Sequence, residues 1–209
     1  MRGRFISFEG IDGSGKSTQQ ARLAATLRLR GVDVVTTREP GGTPVGEQVR
    51  SLVLGARPSP LAELALMAAS RAQSVAELIE PALSVGRWVL CDRFHDATEA
   101  YQGGGRGLDR EAIRTLHRIL CHDLQPDLTL IFDLDPALSL ERARKLPQAG
   151  RFEAESMQFF ARVAGAYREI AAREPARCRL ISAQGAVEEV EARVLHAVNQ
   201  TMGDTPHVG

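Results

Sequence analysis

Charge of one sign is missing from this chain: among its 209 residues, lysine plus arginine number 26 and aspartate plus glutamate number 26. With no net field to recruit polyanions, no nucleic-acid partner and no membrane partner is expected, and any anion site must gather its positive charge locally. Cysteine is scarce. Cys91, Cys121 and Cys178 are far apart, odd in number and without metal-ligand spacing, which excludes a disulfide framework or zinc site and suits a reducing cytosol. Metal spacing is also missing from the histidines, His95, His117, His122, His196 and His207. No apolar run reaches membrane-spanning length and no signal-peptide core opens the chain, so a cytoplasmic protein is expected. Repeats, low-complexity tracts and linkers are absent as well. Residues 1–209 are therefore read as one domain, long enough to bury a core, with a tail over 203–209 expected to fray.

What is present begins at Gly10-Ile11-Asp12-Gly13-Ser14-Gly15-Lys16-Ser17-Thr18. An apolar run, Phe5-Ile6-Ser7-Phe8, precedes it and a helical segment from Gln19 to Arg30 follows. Strand, G-x-x-x-x-G-K-S and helix in that order form the context of a phosphate-binding loop. Glycines let consecutive N–H groups point into one concavity, and the helix contributes its positive end. Lys16 would reach the β- and γ-phosphates of a nucleoside triphosphate, and the Ser17 hydroxyl would ligate Mg²⁺.

Strand-like runs alternate with helical ones along the rest of the chain. Strands are predicted at Arg4–Phe8, Asp33–Thr37, Trp88–Cys91, Leu128–Leu134 and Arg179–Ile181. Helices are predicted near Gln19–Arg30, Pro44–Leu54, Leu61–Pro81, Arg110–His122, Pro136–Arg144, Glu155–Arg173 and Val187–Thr201. The alternation predicts an α/β fold of the P-loop NTPase type, a five-stranded parallel sheet with helices on both faces. Ligands of such sheets sit beyond the carboxyl ends of the strands. There the chain carries Glu9 and the phosphate loop, Arg38-Glu39-Pro40-Gly41-Gly42-Thr43, Asp92-Arg93-Phe94 and Asp133-Leu134-Asp135. Asp92 is placed to share the Mg²⁺ with Ser17. Arg38 and Arg93, at neighbouring strand ends, suit bidentate capture of a second phosphate, which favours a kinase with a phosphorylated acceptor over a hydrolase. Arg142, Arg144, Lys145 and Arg151 flank the break Leu146-Pro147-Gln148-Ala149-Gly150 and read as a short basic lid over about residues 142–155. Gln102-Gly103-Gly104-Gly105-Arg106-Gly107 lacks the placement of a dinucleotide fingerprint and reads as a mobile loop edging the acceptor pocket.

These motifs, with Phe8-Glu9-Gly10, Thr37-Arg38-Glu39-Pro40-Gly41-Gly42-Thr43 and Ala100-Tyr101-Gln102-Gly103-Gly104-Gly105-Arg106-Gly107 in order, resemble the bacterial thymidylate kinase family from about Arg4 to the last helix. The resemblance implies ATP as donor, dTMP as acceptor and a homodimer. It implies that Asp12 holds the acceptor 3′-hydroxyl and that Arg38 and Arg93 grip its phosphate. Arg71 would hydrogen-bond a thymine carbonyl, Thr98 and Gln102 would read the base edge, and Tyr101 would crowd C2′. Arg142 would lie against adenine. Gly13 stands where one branch of the family carries its catalytic arginine, so the resemblance assigns that charge to the lid, chiefly Arg151 with Arg144 or Lys145. Three positions depart from the pattern: Met67 for a phenylalanine stacked on thymine, Ala97 for a serine, and Gly150 for an aspartate. A kinase of another nucleoside monophosphate or of a deoxynucleoside remains the alternative. A regulatory GTPase or motor ATPase would need a switch Asp-Gly motif or a guanine-reading Asn-Lys-x-Asp, neither of which occurs, and a dead binding module would not need Lys16, Ser17 and Asp92 intact.

Overall fold

Five short apolar runs become β1 (Phe5–Gly10), β2 (Val34–Arg38), β3 (Trp88–Asp92), β4 (Leu128–Asp133) and β5 (Cys178–Ser182). In the computed structural model, which describes residues 1–145, 152 and 155–203, they form one parallel sheet in the order β2-β3-β1-β4-β5. The register aligns Phe8 with Asp92 and Asp92 with Arg38, so β2 and β3 end level with each other and β1 runs two residues further at the same edge. β1 is buried throughout and β4 up to its last residue, Asp133, as befits the centre of a sheet covered on both faces.

Alternating residues divide the core. Ile6, Phe8, Leu128, Leu130 and Phe132 pack against α1 (Lys16–Leu29) and α9 (Val187–Met202) through Leu23, Leu27, Val190 and Val194. On the other face, Ile131 and Cys178 meet α8 (Met157–Arg173), while Phe5, Val89 and Cys91 meet Val75, Ile79 and Leu83 near α4 (Glu80–Ser84). The remaining helices are α2 (Pro44–Gly55), α3 (Pro60–Ser74), α5 (His95–Thr98), α6 (Arg110–Cys121) and α7 (Pro136–Arg144). Three of them begin with a capping side chain followed by proline. Thr43 Oγ1 accepts from Gly46 N, Ser59 Oγ from Ala62 N and Asp135 Oδ1 from Ala137 N, and the proline occupies a position whose N–H would be unpaired. Among the described residues no helix is long and apolar enough to cross a membrane.

Two segments differ from expectation. The helix predicted over Leu61–Pro81 is α3, a π turn at Val75–Ile79 and α4; the widening precedes Pro81, which has no N–H to offer the carbonyl four residues back. The glycine-rich stretch read as a mobile loop is instead helical. It follows α5 as a π-helical run, Glu99–Gly105, with Tyr101, Gln102, Gly103 and Gly105 buried. Its glycines bring it close against α8. A Cβ on Gly104 would lie 2.6 Å from that of Ala166, and one on Gly105 would lie 2.5 Å from the Phe159 ring.

Candidate active site

The phosphate loop is shaped by its glycines. Gly10 leaves β1 at φ 128, and a Cβ there would come within 2.6 Å of the Phe132 carbonyl. Gly13 and Gly15 take left-handed φ values of 80 and 90, turning the chain onto α1, whose N-cap Gly15 has no side chain to occupy the first helical N–H groups. α7 backs the loop, with Ser139 Oγ donating to the Asp12 carbonyl at 2.7 Å. A side chain at Gly13 would meet the Ser139 carbonyl at 2.2 Å, a physical reason for glycine at this position. Gly13, Gly15, Lys16, Ser17 and Thr18 line a cleft of ≈ 630 Å³, shared with Arg38, Asp92, Arg93 and Arg142. Ile11 and Ser14 are buried beneath them.

Lys16 is 6% exposed and donates to the Ile11 carbonyl at 3.0 Å. Burial, and then the neighbouring Arg93, push its pKa down to about 8 against the pull of Asp12, Asp92 and Glu9. Ser17 Oγ hydrogen-bonds Asp92 Oδ2, while Asp92 Oδ1 is buried without a partner. A hydroxyl and an orphaned carboxylate oxygen beside a phosphate cradle are the hard ligands Mg²⁺ takes, and the rest of its shell is ordinarily phosphate oxygen and water. Among the described residues there is no cluster of three or more His, Cys, Asp or Glu to cage a metal.

Arg93 joins this cleft to a second cavity. Its φ is 72, a left-handed conformation costing on the order of 1–3 kcal/mol in a non-glycine residue. Its own N–H donates to the Phe8 carbonyl at 2.9 Å, and the Phe94 N–H donates to Glu9 Oε1 at 2.6 Å, fixing the turn. The guanidinium donates to the Gly10 carbonyl (3.0 Å), Asp12 Oδ1 (2.6 Å) and the Tyr101 hydroxyl (3.1 Å). Tyr101 in turn donates to Asp12 Oδ2 at 2.8 Å. Burial acts to raise the Asp12 carboxyl, but Arg93, Lys16 and Tyr101 outweigh it and hold the pKa down to about 2.

The second cavity, ≈ 110 Å³, is lined by Met67, Ala97, Tyr101 and Gln102, with Asp12, Glu39, Arg50 and Arg93 shared with the first. Met67, 7% exposed, rests on Val49 and Val53 of α2. Arg71 and Thr98 do not line the cavity but are joined behind it. Arg71 Nε donates to Glu39 Oε2 at 2.7 Å, and its Nη2 donates to the Phe94 carbonyl (3.0 Å) and Thr98 Oγ1 (2.8 Å). Burial pushes Glu39 up to about 7 even beside that guanidinium.

Other expected residues are placed less directly. Arg38 lines the first cleft but also pairs with Glu47 at 3.0 Å, Glu47 being fixed by the Gly42 N–H at 2.9 Å. Lys145 pairs with Glu141 at 2.6 Å on the exposed side of α7. Arg151 lies outside the described residues.

Sequence reasoning missed Arg50, Tyr167 and Phe152. Arg50 stands on α2 in phase with the buried Gly46 and Val53, a periodicity that marks it as inward-facing. It donates to the Pro40 carbonyl at 3.1 Å, and burial with the nearby Arg38 and Arg93 lowers its pKa. Tyr167 donates to Glu9 Oε2 at 2.9 Å and touches Arg93 Nη1 at 3.3 Å. Phe152 meets Tyr101 edge-on at 5.7 Å and lines the second cavity.

The fold and site together define a phosphate-loop nucleotide-binding protein in which a second cavity opens beside the loop. A family model described as thymidylate kinase matches residues 8–194. The chain is 52% identical to a thymidylate kinase of Rhizorhabdus wittichii, covering 95% of this chain and 98% of the relative, and 47% identical to that of Pelobacter propionicus, covering 98% of each. The crystal structure of thymidylate kinase from Ehrlichia chaffeensis superimposes with a TM-score of 0.79 at 37% identity, covering 95% of this chain and 99% of that one. The chain belongs to the thymidylate kinase family.

Proposed function

We propose that this chain transfers the γ-phosphoryl group of ATP to dTMP, giving ADP and dTDP for dTTP synthesis. One observation carries the site assignment: Asp12 and Arg93 line both the phosphate cleft and the second cavity, so the phosphates of two nucleotides bound there would meet at that pair. The test is an initial-rate assay with Mg²⁺ and ATP against dTMP, dUMP, UMP, CMP, AMP, GMP and thymidine. dTMP should be turned over and thymidine, lacking the phosphate that Arg93 grips, should not. Preference for another acceptor would overturn the reading.

Phosphoryl transfer asks little covalent chemistry of a protein and depends on positioning and on placed positive charge. In this reading the N–H groups from Gly13 to Thr18 cradle the donor phosphates and Lys16 bridges toward the γ-phosphate. Arg93, Arg38 and Arg50 hold the acceptor phosphate in line. Asp12, kept ionised by its neighbours, accepts from the acceptor 3′-hydroxyl, and Tyr101 crowds C2′. Met67 packs on the base, Gln102 reads its edge, and Arg71 with Thr98 supports that edge from behind. Arg142, at the mouth of the first cleft, takes the adenine, and Arg151 supplies lid charge. No general base is required, because a phosphate monoester with a second pKa near about 6 is largely dianionic at neutral pH. Ser17 and Asp92 would hold Mg²⁺, which neutralises charge on the β- and γ-phosphates.

We assign the dimer surface to an apolar groove of ≈ 320 Å³ where α3 faces α6, lined by Leu61, Leu64, Ala68, Leu116 and Leu120. Its exposed leucines, 68% for Leu61 and 39% for Leu120, are what a second copy would cover. Three free, buried cysteines fit a cytoplasmic setting.

A further inference from the structure

Gln102 stands at the wall of the second cavity with its two amide ends in different company. Nε2 donates to Glu63 Oε1 at 2.7 Å, while Oε1 is buried and has no hydrogen-bond partner. A primary amide can show a ligand either a donor or an acceptor, and whatever holds its other end decides which. A carboxylate only accepts, so Glu63 draws the NH₂ toward α3 and leaves the carbonyl oxygen as the amide atom still to be satisfied. Glu63 is itself 0% exposed. It sits in the first turn of α3 and pairs with Arg106 at 3.3 Å, and Arg106 is held in turn by Glu155 at 2.6 Å.

We propose that Glu63 is a positioning residue for base selection: by fixing the sense of the Gln102 amide, it makes the cavity accept a pyrimidine that carries hydrogen on N3 and reject cytosine, whose N3 is a bare lone pair. The proposal rests on the thymidylate kinase reading and deepens it. An amide held by nothing could turn over and serve cytosine at little cost. Here a turn would set the amide oxygen against a buried carboxylate, so the wrong base leaves two buried groups unpaired rather than one.

The experiment uses the full chain with Mg²⁺ and ATP, comparing dTMP, dCMP and 3-methyl-dTMP, in which the N3 hydrogen is gone. The wild type should favour dTMP over each of the others by about 100-fold or more in kcat/KM, the scale on which a site built to pair a hydrogen-bonding group rejects an analogue that cannot return the bond. E63Q, whose amide can accept or donate, should lower the dTMP-to-dCMP ratio by about tenfold or more, with the change in KM for the pyrimidine nucleotide and the KM for ATP unmoved. In a Q102A background, E63Q should leave that ratio unchanged. E63D keeps the charge beside Arg106 but is one methylene short of Gln102; it should lower the ratio too and decides the matter should E63Q fail to fold. A fall of equal size for both nucleotides, an E63Q effect that persists without Gln102, or free turnover of 3-methyl-dTMP would overturn the proposal. A wild type inactive on dTMP would instead sink the activity reading, whereas an active wild type with an unmoved ratio sinks Glu63 alone.

Discussion

Arg93 has two tasks, and they can be separated by the company it keeps. Its guanidinium ties the Gly10 carbonyl and Asp12 to the strand end while facing the second cavity. Arg50 faces both cavities and is anchored by the Pro40 carbonyl rather than by the phosphate loop. R93A should therefore raise the KM for dTMP on the order of 10–100-fold, the worth of a lost charge-assisted contact, and also raise the KM for ATP by a smaller factor because the loop loses a tie. R50A should raise the KM for dTMP by about tenfold while sparing ATP. Steady-state kinetics in both substrates checks the pair, and an R50A effect confined to ATP would remove Arg50 from the acceptor side. At this scale the sequence was legible wherever a residue sat inside a motif: Lys16, Ser17, Asp92 and Arg93 are all at the shared edge. It was silent on Arg50, Tyr167 and Glu63, which no spacing connects to the loop and which only tertiary packing brings there. Nor does any spacing foretell that Arg71 and Thr98, at separate places in the chain, are joined by a hydrogen bond of 2.8 Å.

The strands and most helices were legible because apolar runs bounded by Gly or Pro, and the caps Thr43-Pro44, Ser59-Pro60 and Asp135-Pro136, are local signals. The run Glu99–Gly105 was not, since consecutive glycines read as loop unless one knows what they lie against. Their reason is α8. G104A should force a shift of α8 or of the π-helical run, because backbone-borne Cβ atoms 2.6 Å apart cannot both stay. The expected cost is about 1–3 kcal/mol, as for overpacking elsewhere, read as a lower unfolding midpoint. Tyr101 and Gln102 belong to the same run, so the variant should also weaken dTMP more than ATP. G107A makes the control for glycine loss without crowding, because a Cβ there meets nothing within 4 Å, although its φ of 76 adds strain. A G104A protein as stable as the wild type would mean that α8 and the π-helical run yield to the added methyl without cost.

At the scale of the whole molecule, two features outside the reacting centre should govern behaviour in solution. If the α3–α6 groove is the dimer surface, L120D should convert a dimer to a monomer in sedimentation velocity; a monomeric wild type, or a dimeric L120D, would refute that placement. The second feature is a carboxyl at the centre of the sheet. Glu9 is 0% exposed, and burial, then the nearby Asp96, push its pKa from the ordinary 4.5 up to about 8 despite Arg93, the Phe94 N–H and the Tyr167 hydroxyl. A carboxyl raised on folding holds its proton more tightly in the folded state. Its favourable contribution is therefore complete below about pH 4.5 and is lost as pH rises toward about 8. E9Q keeps an acceptor for Phe94 N–H and has nothing to ionise. Its unfolding midpoint relative to wild type should climb between pH 5 and pH 8.5 by about 4 °C or more, roughly 1–2 kcal/mol for a domain of this length. A difference flat across that window would mean that Arg93 and Tyr167 already support the charged carboxylate, and that the strained turn behind the acceptor site carries no electrostatic cost.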